Sequence, residues 1–446
     1  MKNWETVDLY TKALIAKYLN DNGHKSTLEL FLGDCGLSMS DVKDVGQTFD
    51  ENLETIVSER VAYAEGNKDL VNKIRLEEKA LPIDAETPSW NHDAKFEPVP
   101  LDVDKKALII GANFCNPQDS LLLSFADKTK WFYGPQWDLK DKNFGSEFNL
   151  GAVRFCGAVR SCVREPHDTF YMCTLDGTFH FWSQYEKGSH KLHQRLITHL
   201  QFLKAPGEDT LYIVSCGMDN CLNVHEWNPR IHQSIKLLSA EKLQSSCTSL
   251  QVASDGYRPL IFISRADYTH LLCFALENRT HSMRLVYKIA LNNAQFSTHS
   301  FNVRDMAFIG EHDSIGTPVV TNSSVLLIAT SHIPYMRLLV VKIPPEIAGD
   351  KDTVFYDKVL RNMPTEIEQD SYSEPILKTL PEGNGVLVGD SKGLYALDIL
   401  NGDSWLLDLP GFSQGSRVKC MDINKSGTKL VLGLADKTVR AYNIVL

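Results

Sequence analysis

Gly411-Phe412-Ser413-Gln414-Gly415 spells G-x-S-x-G, the pattern in which a serine nucleophile sits on a strained turn between a strand and a helix. Acyl transfer from that serine needs the helix to follow it. Here the apolar run Val418-Lys419-Cys420-Met421 follows and reads as a strand, so no nucleophile is expected. The glycines of Gly383-Asn384-Gly385-Val386-Leu387-Val388-Gly389 run into an apolar segment, whereas a dinucleotide cradle opens from a strand into a helix whose N-terminus meets the pyrophosphate. His190, His193 and His199 have the donors for a metal, but an outer strand passing into the next inner strand spreads them over different faces. Nothing resembles a Walker loop. The reading is that of a protein that is not an enzyme and holds no metal or cofactor.

A different constellation emerges when the strand-like segments are aligned on their first apolar residue. Val159-Arg160, Ile197-Thr198, Cys247-Thr248, Val303-Arg304 and Val418-Lys419 place Arg160, Thr198, Thr248, Arg304 and Lys419 at one equivalent position. Three of these are basic. They would favour an acidic or phosphorylated peptide segment through charge-assisted hydrogen bonds.

The elements that must position these residues recur from about residue 97 onward as short apolar strands between turn residues. The clearest copy is the last. Val418 to Ile423, Asn424-Lys425-Ser426-Gly427, Lys429 to Gly433, Asp436-Lys437-Thr438 and Val439 to Asn443 read strand, turn, strand, Asp-containing turn, strand. That order resembles a WD40 propeller blade, with Tyr442-Asn443 where the Trp-Asp pair would end it. Looser copies end at Asp127-Lys128-Thr129, Asp176-Gly177-Thr178, Asp219-Asn220-Cys221, Asp267-Tyr268-Thr269, Met336 to Val341 and Asp390-Ser391-Lys392. Seven blades close a ring, and the resemblance implies that the five aligned residues line the mouth of its central channel. Phe96 to Val103 is expected to supply the outer strand of the last blade, where Pro98 and Pro100 suit an edge. Ile347 to Ser371 reads as an exposed loop.

Ahead of the ring, Leu14, Ile15, Tyr18 and Leu19 fall one turn apart on a helix that Gly23 stops, and Thr27, Leu30 and Phe31 repeat the spacing on a second helix. The hairpin resembles the LisH dimerisation motif. That resemblance implies a homodimer in which Leu14, Ile15, Tyr18, Leu19, Leu30 and Phe31 pack into a four-helix bundle with a second chain. Phe49, Leu53, Ile56, Arg60, Tyr63, Asn67, Leu70, Ile74, Glu77 and Leu81 alternate four and three apart, a flawed heptad spacing that is either a short coiled coil or a packed connector. The expected organisation is residues 1–37 a LisH-like dimerisation motif, 38–92 a charged helical connector and 93–446 a mostly β, seven-bladed WD40 propeller.

Composition limits the partners. The net charge of -10 is uneven: residues 1 to 100 hold 11 Lys/Arg against 19 Asp/Glu, and the remainder 35 against 37. A nearly neutral body with an acidic arm does not suit direct nucleic-acid binding, which needs cations along a phosphate track. The N-terminus lacks an apolar leader, apolar runs such as Val325 to Ala329 are strand-length, and the ten cysteines include no C-x-x-C pair. A cytoplasmic or nuclear protein with no membrane insertion is expected. LisH–WD40 proteins include co-repressor subunits, dynein regulators and ubiquitin-ligase subunits, so the resemblance implies a dimeric scaffold or adaptor. The Trp-Asp-x-Arg of a cullin-type substrate receptor is replaced by His225-Glu226-Trp227-Asn228 and Trp182-Ser183-Gln184-Tyr185; Trp227-Asn228-Pro229-Arg230 lies two residues out of register.

Overall fold

The computed structural model describes residues 2–42, 53, 54, 57, 94–101, 103, 107–115, 119–142, 144, 153–160, 168–182, 187–205, 210–229, 235–277, 280–291, 301–310, 318–322, 324–344, 353–380, 385–400, 402–412 and 415–445, with residues 2–7, 154, 156–160 and 168 as backbone alone. Most of the connector expected over residues 38–92 lies outside them. Two compact units divide the chain, Met1–Ala80 and Leu81–Leu446.

In the first unit, helix α1 spans Lys2–Asp21 and α2 spans Lys25–Cys35. Gly23 takes φ +75° between them and donates to Asn20 O, while His24 N reaches Leu19 O at 2.9 Å. Glycine adopts that left-handed conformation without the steric cost other residues meet. Gly36 repeats the device at the end of α2, φ +65°, with Leu37 N bonded to Leu32 O at 3.0 Å. Ala13 and Ala16 of α1 pack on Leu28 and Leu32 of α2 and on Val42 beyond it, and Leu19 and Phe31 rest partly buried against them. Small alanines let the two helices approach closely. No described helix is long and apolar enough to cross a membrane.

The second unit is a seven-bladed β-propeller: seven sheets, each built on antiparallel strands. Blades 1 to 3 cover residues 109–141, 153–191 and 197–242; blades 4 and 5 begin at Cys247 and Val303; blade 6 covers 376–406 and blade 7 begins at Val418. The last sheet has its outer strand from the other end of the chain. Lys95–Val99 pairs antiparallel with Val439–Val445, Lys95 opposite Val445 and Val99 opposite Ala441. The edge of the final strand is thereby covered, as ring closure demands.

The apolar core lies between adjacent blades. Trp227, fully buried, meets Phe179 edge-on at 5.2 Å and Phe181 at 5.5 Å across the blade 2 to blade 3 boundary. Nearer the axis, polar groups stitch the inner strands together. Asp305 of blade 5 accepts from Leu377 N of blade 6 at 2.9 Å and from Ser249 Oγ of blade 4 at 3.4 Å. Asp422 of blade 7 accepts from Phe114 N of blade 1 at 2.8 Å and from Lys378 Nζ of blade 6 at 2.8 Å. Burial opposes the charge on Lys378, but Asp422 and then Asp305 outweigh it and hold the ammonium above its ordinary pKa.

The exposed loop expected over Ile347 to Ser371 is corrected in part. Val359–Glu368 is a ten-residue strand, the outer strand of blade 5, and Val354–Phe355 adds a fifth, parallel strand to blade 4. Met363, Thr365 and Ile367 are buried in alternation with exposed neighbours, the period of a strand with one face covered. Pro364 disguises it in the sequence, yet proline is tolerated where only one side of a strand must pair.

Candidate functional site

The inner strands share a repeated irregularity. In six of the seven blades the inner strand carries a β-bulge one residue from its start, and the extra residues are Ile110, Arg154, Thr198, Thr248, Arg304 and Lys419. A bulge leaves its extra residue out of the ladder and re-aims its side chain. Four of the five sequence-aligned residues occupy this position. Thr198 Oγ1 donates to Cys216 O at 3.1 Å, Thr248 Oγ1 lies 2.8 Å from Ser264 Oγ, Arg304 Nη2 donates to Ser371 O at 2.9 Å, and Lys419 is exposed.

Arg160 does not belong with them. It is the last residue of its strand, Val153–Arg160, opposite Asp168 and at the far end from the bulge. Arg154 holds the equivalent backbone position. The strand contains Val-Arg twice, Val153-Arg154 and Val159-Arg160, and alignment on the second copy slides the register by six residues. The turn aspartate carries the signal that separates them. Val153, Ile197 and Val418 each open an inner strand opposite the residue two before that aspartate: Thr174 before Asp176, Gly217 before Asp219 and Leu434 before Asp436.

Sequence alignment also missed Arg417, which lies just before the inner strand of blade 7. Its Nη2 donates to Tyr372 O at 2.8 Å, so Arg304 and Arg417 hold neighbouring carbonyls of the segment that enters blade 6. Tyr372 is 78% exposed, and Ile333 and Tyr335 are exposed beside Gln369, whose N–H donates to Pro334 O at 2.8 Å. Asp370 accepts from Tyr372 N at 2.8 Å and from Ser373 Oγ at 3.1 Å, which hold its carboxyl below the ordinary range. Asp390 is the opposite case. At 1% exposure neither of its oxygens makes a well-formed hydrogen bond, and burial raises its pKa to about 6 against the pull of the Ser391 N–H, Arg417 and Arg304.

The three histidines do not converge. His190 stacks edge-on to His225, His199 Nδ1 lies 3.1 Å from Thr198 Oγ1, and His193 is buried against Ser215 of blade 3. Among the described residues no three metal-ligating side chains form a group. His193 does form an arrangement that resembles a hydrolytic relay: Nδ1 at 3.0 Å from Asp219 Oδ1 and Nε2 at 2.9 Å from Ser215 Oγ. Burial raises the Asp219 carboxyl, but the His193 bond and the Gln194 and Cys221 N–H groups outweigh it and lower the pKa. Ser215 is completely buried and His193 is 2% exposed, so no substrate carbonyl reaches the hydroxyl. The relay ties the chain entering blade 3 to that blade's own turn. Gly177 and Gly217 flank it, and a Cβ on either would lie 2.4 Å from His193 O or 2.6 Å from His193 Nδ1. In the G-x-S-x-G pattern, Ser413 lies outside the described residues, and a strand opens at Val418 with no helix among the described residues before it, 415–417.

The hairpin offers a second surface. Of the six residues assigned to dimerisation, Leu14 is buried in the single chain and Ile15, Leu19 and Phe31 are half-buried, whereas Tyr18 is 36% and Leu30 72% exposed. Leu9, 40% exposed, was not in the set. Leu30 and Tyr18 therefore present apolar surface outward, and Leu14 does not.

Comparison with known proteins agrees with this architecture. Residues 77–443 match the family model described as UCP007778, beta-propeller domain, and residues 9–43 match UCP007778, LisH domain. Uncharacterized protein YGR117C of Saccharomyces cerevisiae is 34% identical over 489 aligned residues that cover 100% of this chain and 99% of the relative. A match this long in both units places the chain in the UCP007778 family, proteins in which a LisH domain precedes a β-propeller.

Proposed function

We propose that this protein is a dimeric, non-enzymatic scaffold: the LisH hairpin joins two chains, and each propeller offers its channel mouth to an acidic or phosphorylated segment of a partner protein. The observation that carries the reading is Leu30, a leucine left 72% exposed on a two-helix unit. A unit this small gains by covering such a side chain with its own symmetry mate. At the mouth, Arg304, Arg417 and Lys419 gather cations in a protein of net charge -10, and exposed Tyr372 beside them supplies the aromatic surface that protein interfaces favour.

Light scattering of the full-length protein at micromolar concentration is expected to report twice the chain mass. A partner recovered from native extract should bind purified protein less tightly after Lys419→Glu, and less tightly as salt shortens the screening length from about 10 Å at 0.1 M to about 3 Å at 1 M. Lys419 is the residue to reverse, because it lies in a bulge and its side chain is exposed. A monomer in the first experiment removes the dimer from the reading. Unchanged affinity and no salt dependence in the second remove the mouth.

A further inference from the structure

The connection from the outer strand of blade 5, Val359–Glu368, to the inner strand of blade 6, Ile376–Thr379, carries three hydroxyls in a row, Ser371, Tyr372 and Ser373. The structure separates them. Ser373 is completely buried, its Oγ 3.1 Å from Asp370 Oδ1 and 3.5 Å from Ser391 Oγ, whereas Ser371 and Tyr372 are exposed. Exposed acids flank Ser371: Glu366, Glu368 and Asp370 precede it, and Glu374 stands three residues after it. Arg304 Nη2 donates to the Ser371 carbonyl at 2.9 Å, and Arg417 Nη2 to the Tyr372 carbonyl at 2.8 Å. On Arg304 that leaves Nε, on the same edge of the guanidinium as Nη2, shielded from solvent and with no partner among the described residues. Asp370, the acid next to Ser371, is occupied by Tyr372 N and the Ser373 hydroxyl. By covalent geometry a phosphate on Ser371 Oγ lies within roughly 5 Å of that residue's own carbonyl oxygen. It therefore meets the guanidinium already bonded to that oxygen, whereas the Tyr372 hydroxyl stands at the far end of an exposed ring.

We propose that Ser371 is the substrate of an acid-directed serine kinase and that its phosphate pairs with Arg304, withdrawing that cation from acidic partners. In the transfer, Ser371 Oγ bonds to the γ-phosphorus of ATP as the bond to the bridging oxygen breaks; the hydroxyl proton passes to the kinase's base and ADP leaves. A kinase with a cationic substrate cleft reads the flanking carboxylates by charge complementarity. The phosphate brings a charge of about -1.5 to -2 and three acceptor oxygens, two of which arginine takes in parallel. Arg304, Arg417 and Lys419 together carry about +3, so the modification cuts their sum to roughly +1. The effect on partners rests on the reading of the mouth proposed above; the site and its pairing do not.

Full-length protein treated with casein kinase 2 and ATP should carry phosphate on Ser371 and none on Ser373, read by tandem mass spectrometry, and Ser371→Ala should remove it. Phosphorus NMR then tests the pairing. A free phosphoserine takes its second proton at about pH 6, and the folded phosphoprotein should titrate at least ~0.5 below the same protein in urea. Arg304→Gln, its fold verified by circular dichroism, should bring the folded value back. No phosphate on Ser371, or equal titration folded and in urea, overturns the proposal. With a partner recovered from native extract, phosphorylation should weaken binding ~10-fold or more. If the phosphate pairs but neither it nor Lys419→Glu weakens binding, the mouth reading fails and the modification site stands. If Lys419→Glu weakens binding and the phosphate does not, the switch is overturned and the mouth reading stands.

Discussion

Replacing Leu30 with Asp tests the dimer at the residue that has the least to do with folding the hairpin. Leu30 is 72% exposed, whereas Leu28 and Leu32 on either side of it are buried against Ala13 and Ala16. Fully burying a leucine side chain contributes about 2 kcal/mol. The exposed share of Leu30 leaves roughly 1.5 kcal/mol to be gained in the dimer, and two-fold symmetry counts it twice, for roughly 3 kcal/mol. A carboxylate at the interface adds its desolvation cost, so dissociation should strengthen by at least ~100-fold, about 1.4 kcal/mol per tenfold. Sedimentation equilibrium from nanomolar to tens of micromolar chain reads the constant directly. Helix content and the propeller's melting transition should stay as in the wild type, because nothing inside either unit is removed. Leu32→Asp is the contrasting variant; it places a charge in the hairpin's interior and should lose helix signal together with the dimer. A Leu30→Asp dissociation constant within threefold of wild type would refute the argument.

The pH dependence of Asp390 has a definite sign. Its folded pKa of about 6 lies above the ordinary 3.8, so the ionised form is disfavoured in the fold; the difference of about 2 units costs about 3 kcal/mol above pH 6, and the cost fades as pH falls through 6 toward 4. Asp390→Asn should therefore raise the melting temperature at pH 7.5 and leave it unchanged near pH 4, and a variant that melts lower at pH 7.5 contradicts the burial argument. Asp422→Ala leaves Phe114 N and the Lys378 ammonium without their acceptor and should lower urea-measured stability by about 3 kcal/mol, whereas an unchanged midpoint would mean the seam contributes nothing. A chain beginning at Lys105 lacks Lys95–Val99 and exposes the edge of Val439–Val445, so it should aggregate where a chain beginning at Asn91 stays soluble; equal solubility and melting would show that the pairing is dispensable.

The blades were legible because each repeats a local pattern. The apolar strand, Asp turn, apolar strand of Val418 to Asn443 depends only on neighbours in sequence, and looser copies could be found by matching it. What failed were decisions that depend on the partner strand. Val153-Arg154 and Val159-Arg160 look alike in sequence, and only pairing opposite Thr174 makes the first of them the bulge. Leu14 and Leu30 likewise share an apolar character and a helical stripe, yet the first faces inward and the second outward, a difference set by how the two helices meet. Arg417 and Tyr372 carried no signal at all. They sit in connections before blades 7 and 6, where no periodicity constrains the residue, and the guanidinium finds its carbonyl only once those two blades pack together.

Bulges and seam divide the work of the inner strands between different positions. An extra residue in a bulge has no ladder partner, so Ile110, Arg154, Thr198, Thr248, Arg304 and Lys419 can differ widely in chemistry without disturbing the pairing on either side. That freedom is visible in the residues themselves, which run from an apolar isoleucine to two arginines and a lysine. Two positions further along these strands lack that freedom: Asp305 and Asp422 each bond neighbouring blades, and a change at either removes contacts on two boundaries at once. Arg304 stands between these cases, because its guanidinium also holds Ser371 O, and a change there alters both the charge at a bulge position and the segment entering blade 6. Substitution at the bulge positions can therefore change the chemistry of that surface while the ring that carries it stays the same, the property the proposed scaffold would require of a binding face.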